Sequence, residues 1–253
     1  MRLEVFRNGR SRAGSMLRRG FSAALLGLML CGCATGPTAN PLDPMEPLNR
    51  SVFTFNDAVD RAVLKPVATA YRQVTPQPIR IGVGNFFANL EDAWSFGNSV
   101  LQLKGQGAVD NFMRFVVNTF FGLAGVVDIA SDLGIERHPE DLGKTLGHWG
   151  VESGPYVVLP LLGPSTLRDT LVLPIYYKWD FVSNIENLAV RDTLVIVNLI
   201  DTRANLLKST AVIEGAALDK YTFTRDAYIQ LRRNAIYDGN PPDEVPEEKP
   251  PSK

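Results

Sequence analysis

The sequence predicts an all-α fold, a single helical domain spanning residues 46–237. Three observations carry this. Apolar residues recur at the i, i+3, i+4, i+7 spacing of a helix face in segment after segment. No alternation of strand and helix periods and no internal repeat interrupts them. The composition, 45% hydrophobic and 21% charged with mean hydropathy −0.02, is that of a folded chain and not a disordered one. One short extended piece is expected near Val157.

The first twenty residues hold six arginines and lead into an uncharged, mainly apolar run of ten residues, Phe21 to Leu30. Ten residues span about 15 Å as a helix, about half a hydrocarbon core, so this run reads as the apolar part of a signal peptide and not as an anchor. Leu30-Cys31-Gly32-Cys33 resembles the lipobox of bacterial lipoproteins. Leu30 is too bulky to precede an acceptor cysteine, which leaves Cys33 as the residue carrying an N-acyl diacylglycerol after cleavage behind Gly32. Residues 1–32 are then a lipoprotein signal peptide, and Ala34 implies sorting to the outer membrane. An ordinary secreted protein with two incidental cysteines is the plainer alternative. No cysteine follows Cys33, so the mature domain has neither an internal disulfide nor a thiolate metal site.

Residues 33–45, proline-rich and poor in aliphatics, read as a lipidated tether. Glu46-Pro47 then starts a helix whose stripe is Leu48, Val52, Phe55, Val59 and Val63, running to Pro66. A second helical piece ends at the Thr75-Pro76-Gln77-Pro78 corner. From Ile79 the pattern is helical again, with Phe86, Phe87, Leu90 and Trp94 around Glu91-Asp92. In residues 109–127, Phe112, Phe115, Val116, Thr119, Phe120 and Leu123 make one helix face, while Met113, Val117 and Phe121 make the others apolar too. With Asp110, Asn111, Arg114 and Asn118 inside, this segment is too polar to span a bilayer, and periodicity alone makes it a core helix.

Residues 139–169 mix five glycines and four prolines with the uncharged run Tyr156 to Leu162. This reads as a short helix, a hinge and an apolar rim. Helices follow at 166–177, with a break at Pro174, and at 187–208. A last helix is capped by Thr222 or Thr224, with Tyr228, Leu231, Ala235 and Ile236 on one stripe and Arg225, Arg232 and Arg233 on the other side. Residues 238–253 are acidic, proline-rich and expected to be disordered.

Enzyme signals largely fail. Gly143-Lys144-Thr145 lacks the first glycine of a P-loop, since position 138 is His138, and Gly82-Val83-Gly84 lacks the third glycine of a dinucleotide fingerprint. There is no G-x-S-x-G elbow and no H-E-x-x-H, and two histidines do not make an imidazole metal cluster, so neither metal nor cofactor is expected. His148 with Ser153 or Ser165 and Asp141 or Asp169 is the one triad-like set; the plainer reading packs His148 on Trp149 and makes Arg168-Asp169 a structural pair. A net charge of −1, with the arginines concentrated in the leader, argues against nucleic acid.

Together, Asp43-Pro44, Asn49-Arg50, Phe55-Asn56, Pro76-Gln77-Pro78, Asn89-Leu90-Glu91, Arg114-Phe115, Thr145-Leu146-Gly147-His148, Gly154-Pro155-Tyr156, Leu159-Pro160 and Leu167-Arg168-Asp169 resemble the MlaA (VacJ) family of outer-membrane phospholipid-transport lipoproteins. The resemblance covers about residues 43–237. It implies a helical ring in the inner leaflet of the outer membrane, lipid-anchored from the periplasmic side and associated with a trimeric porin. It further implies an amphipathic channel that takes mislocalised phospholipid from the outer leaflet to a soluble MlaC-like carrier, without covalent chemistry. Gly147, Gly150 and Gly154 are then the hinge or gate. Tyr156, Val158, Leu159, Leu161, Leu162, Phe112, Phe115 and Phe120 are the rim or lining. Family members can carry a more glycine-dense loop at this place, and Glu152 stiffens it here and adds charge. A periplasmic phospholipid hydrolase using His148 and a structural porin-organising lipoprotein are the alternatives.

Overall fold

The computed structural model describes residues 40–243. The signal peptide, Cys33, most of the tether and the tail beyond Asp243 lie outside the described residues.

The first helical stretch is one rod from Glu46 to Val74. It comprises α1 (Glu46–Val59), a π-helical turn (Asp60–Leu64) and α2 (Lys65–Val74). Pro66 does not end the helix, as its sequence position suggested. The π turn widens the backbone just ahead of it, and the Lys65 N–H bonds back to Asp60 five residues away, so the proline ring enters where the normal i−4 ladder has already been relaxed. The corner at Thr75-Pro76 follows, and α3 (Gln77–Leu101) and α4 (Gly105–Phe120) form the most extensively packed pair in the fold. Short α5 (Ile129–Asp132) and α6 (Leu142–His148) lead to the one sheet among the described residues, the antiparallel hairpin β1 (Tyr156–Leu159) and β2 (Gly163–Thr166).

Thr166 caps α7 (Leu167–Trp179), and Asn187 caps α8 (Leu188–Ala216). Pro174 lies inside α7 without ending it. The last helix, α9 (Lys220–Ile236), is capped by Asp219, whose carboxylate accepts from the backbone N–H groups of Tyr221 and Thr222. The expected threonine caps are inside the helix; the Thr222 hydroxyl only supports the Asp219 cap, at 2.7 Å.

The free edge of β1 is closed by side chains of α1. Asn49 donates to the Tyr156 carbonyl and accepts from the Val158 N–H, and Asn56, two turns on, does the same for Leu159 and Leu161. Strand alternation turns Tyr156 and Val158 inward onto Tyr221, Val52 and Phe53. The described end of the tether is also held: Asp43, buried, accepts from Asn49, Tyr221 and Arg225.

Candidate functional site

Among the described residues, nineteen polar or charged side chains are buried against eleven apolar ones, and large apolar side chains crowd the outside. This reverses the order of a water-soluble domain. Helix α4 shows why the sequence misled. Its buried positions are Gly107, Ala108, Asn111, Arg114, Val117 and Asn118, a polar and small-residue face at i, i+3, i+4, i+7 spacing. Phe112, Met113 and Phe120 point outward, Phe120 with 77% of its surface exposed, and Phe115 is half-buried. The segment is not a core helix; it is amphipathic with its polar face in.

Between α3 and α4, Arg114 spends its donors on Asp92, Asp128, Ser131 and the Ile135 carbonyl, with Nη2 2.8 Å from Asp128 Oδ2. Asp92 also meets Arg137. Asn118 bridges Asp128 and the Ala130 N–H, and farther along Gln102 joins Glu140 to Thr145 while Asn111 holds both backbone groups of His138. Burial raises the Asp128 pKa, but bonds from Ser131, Asn118 and Arg114 outweigh it and bring the carboxyl down to about 2. Asp92 goes the other way, pushed up by burial despite Arg137 and Arg114.

The hinge segment borders a cleft of about 290 Å³ between the α6–β1 loop, the start of α7 and α9. Arg232 of α9 is its buttress. The guanidinium grips Asp141, the cap of α6, at 2.6 and 2.7 Å and reaches Asp169 in the first turn of α7 at 2.7 Å. Burial works against ionisation of both Arg232 and Asp141, yet their pairing shifts the arginine up and the carboxyl down. Arg168 pins the loop: its backbone N–H bonds to the Ser153 carbonyl and its Nη1 to the Val151 carbonyl at 3.0 Å.

The three expected hinge glycines differ. Gly147 lies within α6, and its role is clearance, because a Cβ there would come 2.8 Å from Arg168 Nη1 and 3.0 Å from Ile236. Gly150 and Gly154 hold the left-handed backbone that glycine favours, with φ of 86° and 66°. All three border the cleft. The expected rim divides. Tyr156 reaches the cleft from the core, whereas Val158 is buried and does not line it. Leu161 and Leu162 are exposed at the hairpin tip, next to half-buried Leu159, and none of these three nor Phe112, Phe115 or Phe120 lines the cleft. The arginines of α9 were visible as a stripe, but nothing local in the sequence tied Arg232 to Asp141, 91 residues away.

His148 is exposed and stacks edge-on against Trp149. Three of the four triad candidates are engaged elsewhere, Ser165 with Thr170, Asp141 with Arg232, and Asp169 with Arg168, Tyr228 and Arg232, while Ser153 lines the cleft, which His148 does not. Among the described residues no group of His, Cys, Asp and Glu is placed to hold a metal ion.

The class these features define is an inside-out helical protein, its polar network wrapped in a coat that suits an apolar medium, although no described helix is long and apolar enough to cross a membrane. The chain belongs to the MlaA lipoprotein family, whose model matches residues 41–235. It is 35% identical to the intermembrane phospholipid transport system lipoprotein MlaA of Escherichia coli strain K12, covering 86% of this chain and 88% of that one. It is 32% identical to the protein of the same name in Haemophilus influenzae, covering 86% and 90%. A solved structure from work on the structural basis for maintenance of bacterial outer membrane lipid asymmetry superposes with a TM-score of 0.68. That match has 35% identity and covers 78% of this chain and 99% of that one.

Proposed function

We propose that this chain is a non-enzymatic lipoprotein of the outer membrane, anchored from the periplasmic side through acylated Cys33, that serves intermembrane phospholipid transport and so maintains lipid asymmetry. In this reading it lies as a ring in the inner leaflet and removes mislocalised phospholipid from the outer leaflet through an amphipathic channel. It passes the lipid to a soluble MlaC-like carrier while associated with a trimeric porin.

The observation that carries the reading is the inverted distribution of polarity. Apolar faces of α1, α3, α4 and α8 exposed to water would each cost about 25 cal/mol per Å², whereas acyl chains receive them without that cost. A headgroup crossing such a body needs a wetted lane, because an unpaired polar group in hydrocarbon costs several kcal/mol. A polar interior fits that need. The engagement of Ser165, Asp141 and Asp169 with partners other than His148 supports transport without hydrolysis.

The test is a strain lacking the gene, with outer-leaflet phospholipid labelled by an amine reagent that does not enter the cell. Surface phospholipid should rise several-fold and fall again when the wild-type gene, but not a Cys33→Ser copy, is returned. An unchanged surface would remove the transport reading.

A further inference from the structure

Two donors on side chains that line the hinge cleft have no hydrogen-bond partner. The Nη2 of Arg168 and the hydroxyl of Tyr156 are buried, make no hydrogen bond, and belong to side chains that line the same cavity. Arg168 is 5% exposed and Tyr156 1% exposed. A buried donor without a partner is costly, and a buried guanidinium edge more so than a hydroxyl. Arg168 is otherwise fully committed, Nε to Asp169 and Nη1 to the Val151 carbonyl, so it presents one fixed edge. Gly147 supplies the space in which that guanidinium sits.

The surroundings select the sign of the missing partner. Arg168, Arg232 and Arg233 line the cleft against a single lining carboxylate, Glu152, which is exposed. Asp141 is paired with Arg232, Asp169 is shared by Arg232, Arg168 and Tyr228, and Asp43, the carboxylate whose charge acts most on the Tyr156 hydroxyl, is taken up by Asn49, Tyr221 and Arg225. The cavity is otherwise apolar in character, with Leu42, Val151, Ile229 and Ile236 on its walls. At about 290 Å³ it is at the lower end of small-molecule sites, sized for a headgroup and not for a whole lipid.

We infer that this cleft seats the phosphate of a phospholipid headgroup, with Arg168 Nη2 and Tyr156 Oη as its donors and the Gly150–Gly154 turn as its cover. The inference rests on the transport reading and names the group that the hinge handles. A phosphate diester offers two unesterified oxygens, enough for one bond from each donor, and its charge offsets that of the arginine edge. The apolar wall of Leu42, Val151, Ile229 and Ile236 then meets the glycerol end of the lipid.

The experiment uses the full-length acylated protein in detergent micelles and calorimetric titration with three probes: a dihexanoyl phosphatidylethanolamine, the matching dihexanoylglycerol without phosphate, and inorganic phosphate. Saturable binding of the phospholipid and at least tenfold weaker binding of the glycerol are expected. Tyr156→Phe removes a hydroxyl that no protein group uses, so its melting temperature should be unchanged or higher while phospholipid affinity falls roughly tenfold. Arg168→Gln should lower affinity roughly a hundredfold. Equal binding of the phospholipid and its phosphate-free analogue would overturn the assignment, as would unchanged affinity in Tyr156→Phe. Inorganic phosphate binding as tightly as the phospholipid would overturn the lipid as its source. Failure of the transport reading is seen separately, as normal surface phospholipid in the deletion strain.

Discussion

Arg114 and Asp128 face each other across the α4–α5 junction, the single guanidinium Nη2 lying 2.9 and 2.8 Å from the two carboxylate oxygens and shared between them. The arginine side chain is 2% exposed and holds three other acceptors besides. Replacing it with alanine leaves Asp92 with Arg137 as its only cation and Asp128 with only the neutral donors Ser131 and Asn118. Loss of one partner from such a buried network costs about 3 to 5 kcal/mol, so Arg114→Ala should lower the thermal midpoint by many degrees in detergent. Arg114→Lys should recover little, since an ammonium cannot reproduce the fork. A melt within about 0.5 kcal/mol of wild type would refute the network's structural weight.

Acid stability should report on the same pair. Asp128 titrates at about 2 when folded and near 3.8 when not, so its contribution is complete above pH 3.8 and disappears as the pH falls through about 2. Asp92 is raised instead, and its penalty applies above the unfolded value, outside that window. Asp128→Asn should therefore flatten the stability profile between about pH 4 and pH 2. The slope that remains there belongs to carboxyls such as Asp141, which is likewise lowered against its burial by Arg232. Urea titrations at half-unit pH intervals would show the difference.

The cleft glycines should separate by mechanism. Gly147→Ala pushes a methyl against Arg168 and Ile236 and should cost about 1 to 3 kcal/mol through overpacking. At Gly150 a Cβ meets nothing, so alanine costs only the left-handed backbone, about 1 kcal/mol. Gly154→Ala adds a 3.1 Å contact with the Leu167 Cβ to the same strain. Under the proposed function, Gly150→Ala and Gly154→Ala, whose strain is small enough to leave the protein folded, should also raise surface phospholipid. Normal clearance would make them turn residues and nothing more.

At the end of α4, Phe120, Phe121 and Leu123 are each more than 70% exposed. Phe120→Asp with Leu123→Asp should leave the fold intact, because neither side chain packs inside. Moving two such side chains from lipid to charge removes about 1.5 to 3 kcal/mol each, so flotation with phosphatidylethanolamine–phosphatidylglycerol vesicles should fall more than tenfold. Unchanged flotation would assign that surface to another partner.

Much of the helical architecture was legible because periodicity and capping are local. Asn187 and the Thr75-Pro76 corner mark their boundaries directly, and the extended piece near Val157 became β1. Orientation was not legible in the same way. Asn111, Arg114 and Asn118 have the same spacing as Phe112, Phe115 and Thr119, so α4 carries two competing stripes, and only knowledge of the surrounding medium decides which faces inward. The cleft needed α9, α6 and α7 brought together by Arg232, a contact that no window of the sequence contains. The tyrosine of Gly154-Pro155-Tyr156 drew attention as part of a lip, when strand alternation sends it inward with Val158.

The polar interior also governs how this protein responds to temperature. Where a soluble domain releases apolar surface into water on unfolding and gains about 12 to 15 cal/mol/K per residue in heat capacity, under the proposed function acyl chains would cover much of the apolar surface before and after, and unfolding would mainly hydrate carboxylates, amides and guanidinia. Hydrating such groups lowers heat capacity. The curve of stability against temperature should therefore be shallow, with little loss on chilling, so that the fold keeps nearly constant strength across the range in which its membrane stays fluid.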